Sequence, residues 1–170
     1  MEPLAETAPS REDFPDPTLF RTAMSRLGAA VNLVTTDGPA GRYGILVSAV
    51  CSVTDDPPTV IACVNRTSGA NETIKKNGVL CVNLIGRRHK AICDRFMRPQ
   101  PDERFADGDW TRLNTGAPVL SDASAAIDCE IASVTEVGSH TVFVARVAAL
   151  HINEILDGVV WFDKRYHYLA

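Results

Sequence analysis

The sequence lacks any apolar run near the roughly 18 residues that a membrane-spanning helix needs. Its first residues also lack the charged start and the apolar centre of a secretory signal peptide. Both absences predict a cytoplasmic protein with no membrane partner. The acidic, proline-containing stretch over residues 1–14 is predicted to be a flexible N-terminal arm, and residues 15–170 are predicted to form one domain.

An excess of positive charge is also missing. The 17 Lys and Arg residues are outnumbered by 21 Asp and Glu residues, so the formal net charge is −4. No nucleic-acid partner is therefore predicted, because binding to phosphate backbones relies on clustered positive charge. The one basic run, Arg87 to Lys90, is interpreted as the solvated face of a helix.

Cysteine and histidine patterns that hold metals are absent. The five cysteines include no C-x-x-C pair, and the four histidines show no H-E-x-x-H spacing. No metal site is predicted. Because four of the cysteines lie within apolar runs, the cysteines are interpreted as buried thiols of a reducing compartment.

Signatures of direct side-chain catalysis are missing as well. There is no Gly-x-Ser-x-Gly elbow, no pair of active-site carboxylates and no Cys/His signature. An enzyme with this sequence would leave the difficult chemistry to a cofactor.

What the sequence does contain is a series of short β-type runs separated by turns. About seven strands and three helices are predicted, the helices over residues 16–27, 68–77 and 88–97. The pattern indicates a mainly β fold, a closed or nearly closed antiparallel barrel. Residues 98–118 are predicted to form a long loop with aromatic anchors, and residues 163–170 a charged, aromatic tail.

Two clusters of polar side chains lie on consecutive predicted strands. Ser48, Ser52 and Thr54 recur at even spacing, which predicts one shared strand face; hydroxyl pairing across the sheet is the alternative. The stretch Asn65–Ser68 follows the next strand and precedes a helix, where free N–H groups and Arg66 favour an anion. A plain helix cap with a solvated Arg66 is the alternative. Together the two clusters suit a phosphorylated, planar cofactor.

Two further segments could approach such a cofactor. His140 lies at a predicted hairpin tip, where a solvent-exposed bystander is the alternative to a functional residue. The stretch Lys164–Tyr168 mixes cations with aromatic rings, which can stack on a planar ligand and pair with phosphates. A solvated terminus would have the same composition.

The order of five motifs along the chain is more specific than any one of them. They are Phe20–Asn32, Ser48–Pro58, Gly78–Leu84, Glu103–Phe105 and Gly158–His167. In this order they resemble the short-chain flavin reductase family. Its members are the reductase components of two-component, flavin-diffusible monooxygenases of the 4-hydroxyphenylacetate and chlorophenol type. The resemblance spans nearly the whole chain.

The resemblance implies an FMN-binding split β-barrel that forms a homodimer. It implies an enzyme in which NADH reduces FAD or FMN, and the reduced flavin leaves for a separate aromatic-compound monooxygenase. Alternative activities are flavin reduction for a pyrimidine-degrading oxygenase and reduction of a corrinoid. A flavin- or haem-binding split barrel without turnover is the alternative from a different class.

The resemblance also implies roles for particular residues. The isoalloxazine and ribityl chain would be lined by Leu46, Val47, Ser48, Cys51 and Ser52. The phosphates would be held by Asn65, Arg66, Thr67, Ser68 and Asn71. The nicotinamide side would be flanked by His140, Arg165, Tyr166 and His167, with His140 positioning the nicotinamide. One departure is Leu46-Val47, where the family usually has Thr-Ala; losing the threonine hydroxyl is expected to weaken flavin binding.

Overall fold

Twelve strands and three α-helices make up the part of the chain that the structure, a computed structural model, describes, residues 14–98 and 103–169. The strands are β1 (Ala29–Ala30), β2 (Asn32–Thr36), β3 (Tyr43–Val47), β4 (Val50–Asp55), β5 (Pro58–Asn65), β6 (Val79–Leu84), β7 (Trp110–Arg112), β8 (Pro118–Leu120), β9 (Ala125–Val137), β10 (His140–Ile152), β11 (Gly158–Phe162) and β12 (Arg165–Leu169). The helices are α1 (Pro17–Met24), α2 (Gly69–Asn77) and α3 (Lys90–Phe96), the last preceded by a 3-10 turn over Arg87–His89. Apart from Phe14, the predicted N-terminal arm lies outside the described residues.

The main sheet has seven antiparallel strands in the order β3-β2-β6-β9-β10-β5-β4. Its two edge strands, β3 and β4, are consecutive in the chain and are joined only by Ser48 and Ala49. A flat sheet would hold these edges about 29 Å apart, since neighbouring strands are about 4.8 Å apart. The connection spans at most about 11 Å. The sheet therefore curls until its edges meet without pairing, which is a split barrel.

Alternating side chains fill the interior of this barrel. On β5 the even-numbered Val60, Ala62 and Val64 are buried, whereas the odd-numbered positions between them are partly exposed. Phe143 and Ala145 of β10 are fully buried against the same core. A second apolar cluster lies under α3, where Phe96 packs edge-on against Phe105 at 5.1 Å, and Phe105 against Trp110 at 4.9 Å. The anchoring predicted for the loop over residues 98–118 is thus present in its described part.

The helix ends agree with the sequence signals. The Asp16 side chain accepts from the backbone N–H of Thr18 and Pro17 opens α1, while Ser68 caps α2 and left-handed Gly78 ends it. The apolar stripe of α1 is left exposed. None of its residues is buried, although its apolar stripe resembles a core-facing face.

The predicted tail is wrong for residues 165–169. They form β12, which pairs with β11 in a separate three-stranded sheet with β1. The turn between them places Asp163 and Lys164 at positive φ, the backbone form of a tight hairpin. Its backbone is tied to α1, since the Asp163 N–H donates to the Ser25 carbonyl at 2.6 Å.

All five cysteines are free thiols, but they are not uniformly buried as expected. Cys81 and Cys129 are buried, while Cys51 is exposed. Burial raises the pKa of Cys129 to about 12 and that of the half-buried Cys93 to about 11, so both remain protonated thiols at neutral pH. Among the described residues no cluster of three or more His, Cys, Asp or Glu side chains has metal-binding geometry. None of the described helices is long and apolar enough to cross a membrane.

Candidate active site

A groove runs along the outer face of β4 and β5. The side chains of Ile61 and Cys63 alternate outward from the buried core positions of β5, and Cys51 of β4 pairs with Ile61. They line a cavity of about 370 Å³ whose wall is the segment from Leu27 to Ala30. The floor is therefore apolar, as the ring system of a planar cofactor requires.

The Ser48–Ala49 connection stands at one end of this groove. It also lines a larger cavity, about 550 Å³, together with α1, Trp161 and Lys164. The prediction that Ser48, Ser52 and Thr54 share one strand face is wrong. Ser48 lies in the break between β3 and β4, and a bulge between Ser52 and Thr54 shifts their register against β5. Ser52 pairs with Val60, whose side chain faces the barrel core, so Ser52 lies on the opposite strand face from Cys51. The prediction that Ser52 lines the flavin site is therefore corrected.

A loop of donors, Asn65 to Ser68, lies at the same end of the strands as the Ser48–Ala49 connection. The Cys63 N–H donates to the Ala49 carbonyl at 2.9 Å, and Asn65 follows Cys63 by about 7 Å along β5. The Asn65 side-chain oxygen accepts from the Thr67 N–H at 2.9 Å and from its hydroxyl at 3.0 Å. Ser68 Oγ accepts from the Ala70 N–H, which leaves the serine hydroxyl free to donate.

Arg66, the cation of this loop, is bound by a carboxylate that the sequence analysis did not identify as a site residue. Glu136 of β9 accepts from Arg66 Nε at 2.8 Å and from Lys75 Nζ at 2.6 Å. It also accepts from the Thr141 hydroxyl at 3.0 Å. The Lys75 ammonium lowers the pKa of Glu136 below its usual range, so the carboxylate is charged at neutral pH. Arg66 is thus ion-paired rather than simply solvated.

Asn71 supports the loop from within instead of facing a ligand. Its side chain is fully buried, and its amide donates to the Val64 carbonyl at 3.0 Å and to the Thr141 hydroxyl at 2.9 Å. The interpretation of Asn71 as a direct phosphate contact is therefore corrected. A buried amide without these partners would be costly, which explains why the group is fully bonded.

His140 lies beside the donor loop. It opens β10 directly opposite Asn65, so the two side chains share the outer face that carries the groove floor. Its Nδ1 is 2.9 Å from the hydroxyl of Ser139, and the ring is exposed. The hairpin turn predicted around His140 is present, and strand pairing brings its tip to the end of β5.

Of Arg165, Tyr166 and His167, only Tyr166 lines a cavity beside Ser48, next to the groove. Tyr166 and Leu46 line a cavity of about 220 Å³ with Ser48 and Trp161, and the Tyr166 and Trp161 rings meet at 4.9 Å. Arg165 and His167 alternate onto the other face of β12, where the His167 ring contacts Phe162.

Trp161 is a site residue that sequence reasoning missed. It lines two of the three cavities that Ser48 lines. It lies at an unassigned position of the Gly158–His167 motif, and it comes to the groove only because β11 pairs with β1 beside the connection.

The unusual pair Leu46-Val47 divides between the groove and the core. Val47 is 6% exposed and belongs to the barrel core, so little beyond its backbone reaches the cavity. Leu46 is half-buried and offers the groove an apolar surface. Neither supplies the hydroxyl that a threonine would bring.

A split barrel with an apolar outer groove that leads to a donor loop is the architecture of flavin-binding oxidoreductases. The chain belongs to the flavin reductase like domain family, whose profile matches residues 24–170. A protein named FMN reductase (NADH) RutF from Bradyrhizobium diazoefficiens is 51% identical over 152 residues, 89% of this chain and 84% of that protein. The protein of the same name from Variovorax paradoxus is 48% identical with the same coverage.

Solved structures have the same fold. A Haemophilus somnus protein provisionally described as a flavin reductase matches with a TM-score of 0.86 and 37% identity, over 91% of this chain and all of that one. The styrene monooxygenase flavin reductase from Pseudomonas putida S12 matches with a TM-score of 0.79 and 28% identity, over 89% of this chain and 97% of that one. The predicted family, flavin reductase class and antiparallel split barrel are confirmed. The names of the relatives give NADH, as predicted, and FMN, one of the two flavins predicted.

Proposed function

We propose that this protein uses NADH to reduce FMN and releases the reduced flavin to a separate flavin-dependent oxygenase. The observation that carries the proposal is the groove on β4 and β5, whose apolar floor leads to the donor loop at one strand end. The floor suits an isoalloxazine ring, and the loop with Arg66 suits the phosphate of FMN.

The choice of FMN over FAD rests on the relatives. Those at 44–51% identity are named FMN reductase (NADH), and they cover 87–98% of this chain. The donor loop alone would accept the phosphate of either flavin. FMN with NADH is therefore the pair to test first.

The residues of this chain act by positioning. Bound flavin would supply the hydride acceptor, and hydride transfer from a nicotinamide requires stacked rings at roughly 3–3.5 Å. Tyr166 and Trp161 form an aromatic rim beside Ser48 that limits water at the groove. His140 and Asn65, side by side on the outer face, orient the polar end of the ligands.

A crossed assay tests this function. NADH and NADPH oxidation is measured with FMN, FAD and riboflavin added in turn to the purified protein. The expected result is the highest kcat/KM with NADH and FMN. If no flavin stimulates nicotinamide oxidation above the rate without protein, the reductase function is rejected.

We infer that the partner is a pyrimidine-degrading oxygenase rather than an aromatic-compound monooxygenase. The RutF relatives favour this alternative, whereas a reductase of an aromatic system, the styrene monooxygenase reductase, is only 28% identical. Deleting the gene is expected to abolish growth on a pyrimidine as nitrogen source and to spare growth on phenols. The opposite growth pattern would restore the aromatic assignment.

We also infer a homodimer in the cytoplasm. An eight-residue helix is marginal alone, because isolated helices shorter than about 12 residues rarely persist in water. Yet Leu19 and Phe20 of α1 are 64% and 60% exposed, so residues 14–98 and 103–169 leave the apolar stripe uncovered. A second copy packing on α1 would supply the missing burial.

A further inference from the structure

We propose that Glu136 sets how tightly the flavin is held, by withdrawing positive charge from the phosphate end of the groove. The inference rests on the proposed function and deepens it. Glu136 is a positioning residue that acts on Arg66 and Lys75, and its effect is to weaken the affinity for the phosphate-bearing flavin.

The geometry gives Glu136 control of both cations at the donor loop. One carboxylate oxygen takes Arg66 Nε at 2.8 Å, and the other takes Lys75 Nζ at 2.6 Å. Arg66 is further held at Nη1 by the Gly138 carbonyl at 3.3 Å. The Arg66 guanidinium is thus held at the hairpin tip by two groups, the Glu136 carboxylate and the Gly138 carbonyl.

The charges around the loop then cancel. Lys75 is shared with a second carboxylate, Glu72, at 3.0 Å, so two cations face two anions. A flavin phosphate carries about −1.5 to −2 charge at neutral pH and would meet this nearly neutral cluster. A phosphate is bound most tightly by Arg or Lys side chains that are not already paired with a carboxylate, because charge-assisted hydrogen bonds are the strong ones.

A weak phosphate site has a functional consequence. A reductase whose reduced flavin must leave gains from a bound state that is not too stable, because slow product release limits turnover. The departure at Leu46-Val47 acts in the same direction, through a lost hydroxyl at the ring. Glu136 supplies an electrostatic counterpart at the phosphate.

Glu136→Gln isolates the charge. Glutamine keeps the length and one acceptor oxygen for Arg66 or Lys75, so the loop retains its shape. The glutamate side chain is 40% exposed, which makes the replacement tolerable for folding. Glu130→Gln is the matched control, because it removes the same charge from β9 about 20 Å away along the strand, beyond the screening length of about 8–10 Å.

The test measures dissociation constants by quenching of flavin fluorescence, for oxidised FMN and for riboflavin, which lacks the phosphate. For Glu136→Gln we expect FMN affinity to rise about tenfold, which corresponds to about 1.4 kcal/mol, with riboflavin affinity unchanged. Lys75→Gln should change FMN affinity in the opposite direction, because Glu136 then stands less compensated. Glu130→Gln should leave both flavins as in the wild type.

The inference is overturned if FMN affinity is unchanged or lower in Glu136→Gln, or if riboflavin affinity rises equally. It is also overturned if Lys75→Gln tightens FMN. These outcomes are separable from a failure of the proposed function. If the proposed function fails, the wild type shows no flavin-stimulated NADH oxidation, whatever the flavin dissociation constants are.

Discussion

At the residue scale, the site divides between side chains that touch the groove and side chains that hold those in place. Ser48, Cys51 and Tyr166 line cavities, whereas Asn71 and Glu136 act through the donor loop. Sequence position does not separate the two groups. Burial and hydrogen bonding do.

His140→Ala should raise the KM for NADH and lower the hydride-transfer rate by less than about tenfold. The reason is that His140 stands beside Asn65 as an orienting group, whereas removing a general acid or base costs about a hundredfold or more. Stopped-flow reduction of FMN at varied NADH measures both quantities. His151→Ala, at the other end of β10, is the control and should match the wild type. A loss of several hundredfold would instead identify His140 as an acid, and wild-type values would remove it from the site.

At the scale of single elements, close packing fixes the junction between β6 and the 3-10 turn. A methyl group on Gly86 would overlap the carboxylate of Asp157. That carboxylate cannot easily move, since Ser124 Oγ donates to it at 2.8 Å and Arg88 Nη1 at 2.9 Å. The junction therefore requires glycine for space.

Gly86→Ala should lower the free energy of unfolding by about 1–3 kcal/mol, the usual cost of overpacking. Urea denaturation followed by circular dichroism measures it. At Gly28 an added methyl would make only an ordinary contact, 3.5 Å from Val160. Gly28→Ala is thus the matched control and should change stability by no more than about 0.5 kcal/mol. Equal losses in both variants would contradict the packing argument.

The elements show what a sequence can predict. Local signals were sufficient for the cap at Ser68 and the end of α2 at Gly78, because they depend on backbone geometry over a few residues. The break at Ser48 carried no such signal, since the apolar run continues through it. Long-range contacts could not be predicted from the sequence either. Glu136 contacts Arg66 and Lys75 only because β9, β10 and β5 pair.

The candidate site was partly predictable for the same reason. The family motif Ser48–Pro58 located the Ser48–Cys51 segment, and the polar residues between a strand and a helix located Asn65–Ser68. The structure brings both segments to one strand end. Asn71 was predicted to hold a phosphate because the sequence does not show whether an asparagine side chain is buried or exposed. Which of the three predicted residues of β12 reaches a cavity depends on strand pairing, which the sequence did not show. Tyr166 lines the cavity beside Ser48, whereas Arg165 and His167 lie on the other strand face.

At the scale of the whole molecule, α1 presents an apolar stripe that the described residues leave exposed. Light scattering should give twice the 18.4 kDa chain mass for the wild type. Phe20→Asp should shift the protein toward monomer, because it places a charge on the stripe that the second copy would cover. Leu156→Asp, a similar change at a 79% exposed loop leucine, is the control and should stay dimeric. A dimeric Phe20→Asp protein would place the interface elsewhere.

The two-residue link of Ser48 and Ala49 joins the edge strands β3 and β4 at the seam, where the barrel is closed without strand pairing. The same link lies at the end of the groove. Strands adjacent in the chain are the outermost strands of the sheet, so opening the seam would dismantle the groove. A ligand lying along the seam would bind only the closed barrel. Its binding energy would therefore also oppose the opening of the barrel. Under the proposed function, release of the flavin would remove this stabilisation, so the barrel is expected to open most readily between turnovers.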